Sequence, residues 1–322
     1  MSTPVLPSPY PYFGGKGTVV AQIWAALGDV PNYVSPFFGS GADLLARPHA
    51  PGIETVNDLD GHIINFWRAV RADPDGLAAA CDVPVHEIEQ HAYHLWLVEP
   101  ERRAAFTERL MVDVDFYDLL RAARWVYGMG TWIGRGWCSG QGPWMVEGDA
   151  LVQRPAPGNG IFRPRPHLGN PGQGIFRGAH RQNLRAYFRA LQDRVRTVRA
   201  TCGDWQRVLT PAVTTGRWLT GVLLDPPYPH ADRDSNLYVK DMECFTAVAA
   251  WALAHGDDPL FRIVLCGYEG TVTMPASWQA IPWKANGGMG NHGSGRGKAN
   301  ARREMLWCSP HFLGVPQQQT LW

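Results

Sequence analysis

The stretch Gly221-Val222-Leu223-Leu224-Asp225-Pro226-Pro227-Tyr228 constrains the fold more than any other. Val222 to Leu224 is apolar with no polar alternation, which marks a buried strand. Pro226 and Pro227 cannot donate ladder hydrogen bonds, so the strand ends there. Asp225 and Tyr228 are thereby held on a stiff turn at the carboxyl end of a strand, where open α/β sheets bind ligands. Alone, such a tetrapeptide is equally well a plain strand end. Its meaning depends on the rest of the chain.

Earlier segments repeat the same construction. Tyr12-Phe13-Gly14-Gly15-Lys16-Gly17 sets a glycine pair before a lysine, which lets backbone approach a polar ligand. It is not a Walker A loop, because Gly17 follows Lys16 where Ser or Thr is required. Val19, Val20, Ile23, Trp24 and Leu27 follow at helical spacing. Asn32 to Ser35 is a short strand running into Pro36-Phe37-Phe38-Gly39-Ser40-Gly41 and a helix with Leu44 and Leu45. Such a turn brings backbone N–H groups close to a ligand. The third glycine of a dinucleotide fingerprint is missing, which argues against a nicotinamide cofactor. Ile53 to Asp58 is a second strand ending in an acid. Asp58 can hold ribose hydroxyls while Asp60 caps the next helix, which carries Ile63, Ile64, Phe66, Trp67 and Val70.

Residues 74–127 read as several helices, with Pro74, Pro84 and Pro100 near their starts and an amphipathic pattern running from Asp113. This block breaks the strand–helix rhythm and reads as an insertion. Residues 128–179 then turn rich in Gly, Pro, Trp and Arg and read as a long functional loop. His180 to Val195 reads as a basic helix. Further strands are expected at Arg196–Thr201, Phe261–Cys266 and Arg302–Ser309, a helix around Cys244–Ala254, and a glycine-rich segment at 285–300.

The net charge of +1 hides an asymmetry: residues 82–118 hold nine acids and three arginines, residues 121–200 thirteen arginines and three acids. Arginines interleaved with aromatics can follow a phosphate backbone and stack on bases. Arg135, Arg163, Arg165, Arg177, Arg181 and Arg185 are the candidate DNA contacts; a solvated charged face is the plainer use of any one of them. Six cysteines without a C-x-x-C pair argue against a zinc site and a disulfide framework. No apolar run reaches a membrane span and Met1 to Pro11 is not a secretory signal, so a cytoplasmic protein is expected.

Taken together and in this order, the motifs resemble those of the Dam-type DNA adenine methyltransferases common in phages, a family that also serves restriction–modification. Tyr12-Phe13-Gly14-Gly15-Lys16, Pro36-Phe37-Phe38-Gly39-Ser40-Gly41, Asn57-Asp58, Gly203-Asp204-Trp205 and Asp225-Pro226-Pro227-Tyr228 carry the resemblance, over residues 10–72 and 196–309. It implies a Rossmann-like α/β methyltransferase sheet with an inserted helical and loop-rich target-recognition lobe. The expected domains are 1–81 with 201–322 (catalytic) and 82–200 (insertion). It also implies S-adenosylmethionine as methyl donor, no metal, a double-stranded DNA substrate, and a monomer or weak dimer. Tyr12, Gly15, Lys16, Pro36, Phe37, Gly39, Gly41, Asp58, Asp204, Trp205 and Asp225 would contact the donor, with Asp58 on its ribose and Asp204 on its adenine. Asp225, Pro226, Pro227 and Tyr228 would be catalytic. Ser35 departs from the family, which carries Glu there, and removes a carboxylate near the donor's ammonium.

The residues themselves support this chemistry. Adenine's exocyclic amine is a poor nucleophile because its lone pair is delocalised into the ring. The Asp225 carboxylate and the Pro226 carbonyl can accept its two hydrogens and free that lone pair, so that positioning does most of the catalysis. Tyr228 offers a face for a flipped base. Cytosine's exocyclic amine, RNA, and a non-catalytic DNA-binding relative are the alternatives.

Overall fold

The computed structural model describes residues 5–12, 15–84, 86–113, 115–131, 137–138, 144–147, 150–153, 184–216, 218–228, 235–284 and 303–314. The chain divides into two compact units. The first holds Met1–Val5, Lys16–Leu59 and Thr197–Trp322, the second Leu6–Gly15 and Asp60–Arg196. These limits differ from the expected ones, because residues 60–81 pack in the second unit rather than with the sheet.

The first unit is built on strands β1 (Asn32–Ser35), β2 (Ile53–Asp58), β5 (Arg199–Cys202), β6 (Thr220–Leu224), β7 (Phe261–Tyr268), β8 (Gln279–Pro282) and β9 (Glu304–Cys308). They form one seven-stranded sheet in the order β5-β2-β1-β6-β7-β9-β8. β5, β2, β1, β6 and β7 are mutually parallel, and β9 runs antiparallel between β7 and β8. Every residue of β1 and β6 is buried, as a parallel sheet covered on both faces requires. The unit's helices are α1 (Val20–Leu27), the single turn α2 (Ala42–Leu45) and α9 (Ser235–His255). α1 buries Ile23, Trp24, Ala26 and Leu27. At its carboxyl end the Arg262 guanidinium from β7 donates to the Leu27 carbonyl at 2.7 Å.

The second unit contains α3 (Gly61–Ala72), α4 (Pro74–Cys81), α5 (Glu87–Val98), α6 (Pro100–Val112), α7 (Leu119–Thr131) and α8 (Leu184–Val195), with a hairpin of β3 (Trp144–Glu147) and β4 (Ala150–Gln153). Several of its helices begin at side-chain caps. Asp60 accepts from the His62 N–H at 2.8 Å, and Asp73 from Gly76 at 2.8 Å. Glu99 accepts from Glu101 and Arg102, with Pro100 opening the first turn of α6. α7 starts at Leu119, later than the pattern from Asp113 suggests, because Asp118 accepts from the Arg121 N–H at 2.9 Å and sets the boundary. Tyr10 packs edge-on against Phe66 (5.3 Å) and Trp125 (4.8 Å), and Phe188 of α8 also meets Phe66 (6.0 Å).

Three strands lie where none is expected. The hairpin β3–β4, whose innermost pair is Glu147 and Ala150, falls inside the stretch read as loop. β8 is a short, largely exposed edge strand ending in Pro282, so it shows neither a buried run nor clean alternation. The glycine-rich segment 285–300 lies outside the described residues.

Candidate active site

Neighbours on either side of β1 diverge: the chain passes to β2 and β5 in one direction and to β6 and β7 in the other. The strand order therefore reverses between β1 and β6, whose adjacent residues include the pair Val34 and Val222. The turns leaving these two strands, 36–41 and 225–228, flank that point, and open α/β sheets bind ligands outside the carboxyl ends there.

One side of this crevice is a polar shelf. Gly39 and Gly41 both take positive φ (51° and 69°), a conformation that favours glycine. The Gly39 N–H donates to Asp58 Oδ2 at 2.8 Å, and the Gly41 N–H to the Phe38 carbonyl at 2.9 Å. α2 is a single turn, so the backbone of the glycine turn, rather than a helix dipole, is the main polar feature. Asn57 braces the shelf. Its side-chain amide donates to the Pro36 carbonyl (3.1 Å) and the Gly203 carbonyl (2.9 Å), and its oxygen accepts from Thr201 Oγ1 (2.8 Å). One buried side chain thus ties together the carboxyl ends of β1, β2 and β5. The Phe37 and Trp205 rings lie nearly parallel at 6.4 Å. Asp204 is exposed, and its Oδ1 accepts from the Gln206 N–H at 2.9 Å.

Ser35 lies below this shelf and is fully buried. Beside it the Tyr33 hydroxyl donates to Asp43 Oδ2 at 2.5 Å, and burial pushes the Asp43 carboxyl up from its ordinary range. The Ser35 hydroxyl lies near this pair without a hydrogen bond of ordinary geometry to a described residue. A glutamate at position 35 would bury a second carboxylate against Asp43, a cost that serine avoids.

Opposite the shelf is a charged floor. Asp225 leaves the ladder directly after Leu224, the last residue of β6. Its Oδ1 sits 2.7 Å from Lys16 Nζ and accepts from the Tyr228 hydroxyl at 3.1 Å. The Lys16 side chain is 4 % exposed and that of Asp225 21 %. Burial disfavours the Lys16 ammonium, yet Asp225, aided by Cys266 and Glu304, outweighs it and holds the pKa above the ordinary lysine value. The ammonium also stands 5.2 Å from the Tyr228 ring centroid and 5.9 Å from that of Trp283. Burial, then Asp225, push the Tyr228 phenol well above its ordinary value, so it remains a donor. Its ring is 9 % exposed and meets Tyr268 edge-on at 4.8 Å. Stacking a base on that ring therefore requires side chains around it to move.

Among the expected site residues, Lys16, Asp225 and Tyr228 come together in direct contact, and Pro36, Phe37, Gly39, Gly41, Asp58, Asp204 and Trp205 lie at the ends of three neighbouring strands. Tyr12 and Gly15 belong to the second unit, where the Gly15 N–H donates to the Tyr12 carbonyl at 3.0 Å. Arg135, Arg163, Arg165, Arg177 and Arg181 lie outside the described residues. Arg185 is exposed on α8. Its neighbours differ from it: Arg189 makes a two-pronged pair with Asp75 (2.8 and 2.6 Å), and Arg194 is buried. Asn57 and Glu304 were not singled out as site residues by sequence. A buried amide closing an apolar strand and an acid opening one are the signals that mark them.

The seven-stranded α/β sheet, renumbered within itself as 3-2-1-4-5-7-6 with the seventh strand antiparallel, is consistent with the fold of the S-adenosylmethionine-dependent methyltransferases. Residues 12–120, about a third of the chain, match the D12 class N6 adenine-specific DNA methyltransferase family. The match supports adenine-N6 methylation of DNA as the activity, and the family implies S-adenosylmethionine as donor and DNA as substrate. No curated protein matches the chain. Among the described residues, no helix is long and apolar enough to cross a membrane, and no group of His, Cys, Asp and Glu is arranged to hold a metal ion. All six cysteines are free.

Proposed function

We propose that this chain methylates the exocyclic N6 amine of an adenine flipped out of double-stranded DNA, with Asp225 as the principal acceptor for that amine. The observation that carries the proposal is the position of Asp225, on a proline-stiffened turn at the strand-order reversal, with a fixed carboxylate and a buried ammonium beside it.

The shelf fits S-adenosylmethionine. Asp58, half-buried with one oxygen anchored on Gly39, is suited to the ribose hydroxyls. Asp204 and Trp205 are suited to the adenine, and the turn from Pro36 through Gly41 gives backbone access to the methionine part. When bound, the donor supplies an electrophilic methyl group on a cationic sulfonium. Everything else is asked of the chain. Asp225 and the Pro226 carbonyl accept the two amine hydrogens and turn the nitrogen lone pair out of conjugation; Pro227 stiffens the turn that sets the angle between them. The Tyr228 hydroxyl keeps Asp225 oriented. Such preorganised acceptors lower the barrier mainly by positioning. The arginine-rich stretch 128–199 is suited to phosphate contacts, with Arg185 as its exposed candidate on α8.

Incubation with labelled donor and duplex DNA, followed by digestion to nucleosides, tests the reading. N6-methyladenine is expected. Label on cytosine alone, or on RNA alone, would move the activity to those substrates, and DNA binding with no transfer at all would make the chain a non-catalytic relative.

A further inference from the structure

Asn57 is 1 % exposed and precedes Asp58, the last residue of β2. The β1–β2 ladder stops at the pair Ser35 and Val56, and the β2–β5 ladder at Asp58 and Cys202. Pro36 and Gly203 are therefore the first residues beyond β1 and β5. The Asn57 amide takes up the carbonyls of both: Nδ2 donates to Pro36 at 3.1 Å and to Gly203 at 2.9 Å. The Thr201 hydroxyl donates to Oδ1 at 2.8 Å and sets which way the amide faces. Reversed, the amide would turn its oxygen against two carbonyls, so the hydrogen bonds admit one orientation. Each turn also has a backbone tie to β2. The Phe38 N–H donates to the Asn57 carbonyl at 2.9 Å, and the Gly203 N–H to the Asp58 carbonyl at 3.0 Å. Among these bonds, those of the Asn57 side chain alone join both turns to one group. Phe37 and Trp205 follow the two clasped carbonyls by one and two residues, and their rings stand 6.4 Å apart.

We infer that Asn57 is a positioning residue for methyl transfer: its amide sets the spacing between the turn from Pro36 to Gly41 and the turn from Gly203 to Trp205. This rests on the function proposed above, in which the first turn takes the methionine part of the donor and the second its adenine. The reacting carbon belongs to the sulfur that joins those two parts. Its place relative to Asp225 therefore depends on how far apart the turns are held, and a misplacement of about 1 Å can cost such a reaction about a hundredfold. Both amide hydrogens of Asn57 are engaged by the turns, so it acts through them rather than on the donor. Aspartate in its place has nearly the same shape and no N–H. It would set a carboxylate oxygen against two carbonyls and drive the turns apart. Loss of the Thr201 hydroxyl would act in the same sense but more weakly, by leaving the amide unguided.

Calorimetry with S-adenosylhomocysteine, and with adenosine as its adenine-and-ribose part alone, reads this spacing. Asn57→Asp is expected to lower S-adenosylhomocysteine affinity about tenfold or more and to leave adenosine affinity within about twofold, because each turn keeps its backbone tie and only the link between them is lost. Single-turnover methylation of duplex DNA at saturating donor is expected to fall about tenfold or more as well. Thr201→Val is expected to show the same pattern at about threefold on S-adenosylhomocysteine. A merely structural role would weaken the two ligands together. Equal losses of both ligands, or an unchanged S-adenosylhomocysteine affinity, in Asn57→Asp overturn the inference. Should that variant fail to fold, either result in Thr201→Val overturns it as well. Wild type that binds S-adenosylhomocysteine beside variants with the wrong pattern rejects only the role of Asn57, whereas wild type that binds neither ligand rejects the proposed function with it.

Discussion

Replacing Asp225 with asparagine preserves the volume of the floor and removes its charge. Lys16 then stays buried, 4 % exposed, without its ion-pair partner. At 2.7 Å and an effective dielectric constant of about 20, Coulomb's law gives about 6 kcal/mol for the lost attraction. Two effects reduce this. Asp225 is 21 % exposed, so solvent screens part of the attraction, and its own desolvation cost is relieved in the variant. Removing one partner of a buried pair costs about 3–5 kcal/mol, and the solvent exposure of Asp225 puts Asp225→Asn near the lower end, about 3 kcal/mol. Lys16→Met costs less, because Asp225 can turn to water. The double variant leaves no uncompensated ammonium, so the two single costs should fail to add by about 2 kcal/mol. Urea unfolding of the four proteins of this cycle, followed by circular dichroism, measures that coupling. A coupling below about 0.5 kcal/mol would show that the pair does not hold the floor together, and the electrostatic reasoning would fall with it.

Three further perturbations separate the parts of the molecule. Glu304, raised to about 7 from an ordinary 4.5, binds its proton more readily folded than unfolded. It therefore lowers stability progressively as pH rises from about 4.5 to 7, by about 3 kcal/mol in all. Glu304→Gln should flatten that fall, and an unchanged pH dependence of the urea midpoint would exclude it. Asp58→Ala should weaken S-adenosylhomocysteine binding about tenfold or more while leaving DNA affinity intact; equal losses of both would point to misfolding instead. Arg185→Ala should lower DNA affinity for all sequences and reduce the slope of log affinity against log salt by about one, and an unchanged slope would take Arg185 off the DNA.

How much of this was legible in the sequence depends on how locally each feature is determined. β1 and β2 begin and end where the apolar runs meet proline or acid, and Asp60 caps α3 while Asp58 turns to the glycine turn, as the spacing suggests. Strand ends that carry their own punctuation are readable. The short edge strand β8 is not, because its residues are mostly exposed and its pairing comes from β9, which follows more than 20 residues later. The division into compact units differs from the expected domains at residues 60–81, since an apolar helix stripe says that a helix packs but not against which neighbours. The same limit holds for the arginines of α8. Arg189 is committed to Asp75, 114 residues away in the chain, and no local pattern distinguishes it from the exposed Arg185. Lys16 was expected at the donor, and its 2.7 Å contact with Asp225 joins two motifs that lie 209 positions apart (225 − 16) in the sequence. Ser35, read in the sequence as a missing carboxylate, lies buried beside Asp43, where a second carboxylate would be costly.

The most direct test compares wild type with Asp225→Ala on unmodified duplex DNA, quantifying methylated nucleosides by mass spectrometry after both proteins are shown to bind S-adenosylhomocysteine. The proposed role of Asp225 predicts N6-methyladenine from wild type and a loss on the order of a hundredfold or more in the variant. Undiminished N6-methyladenine from a folded Asp225→Ala protein would mean that the chemistry takes place elsewhere.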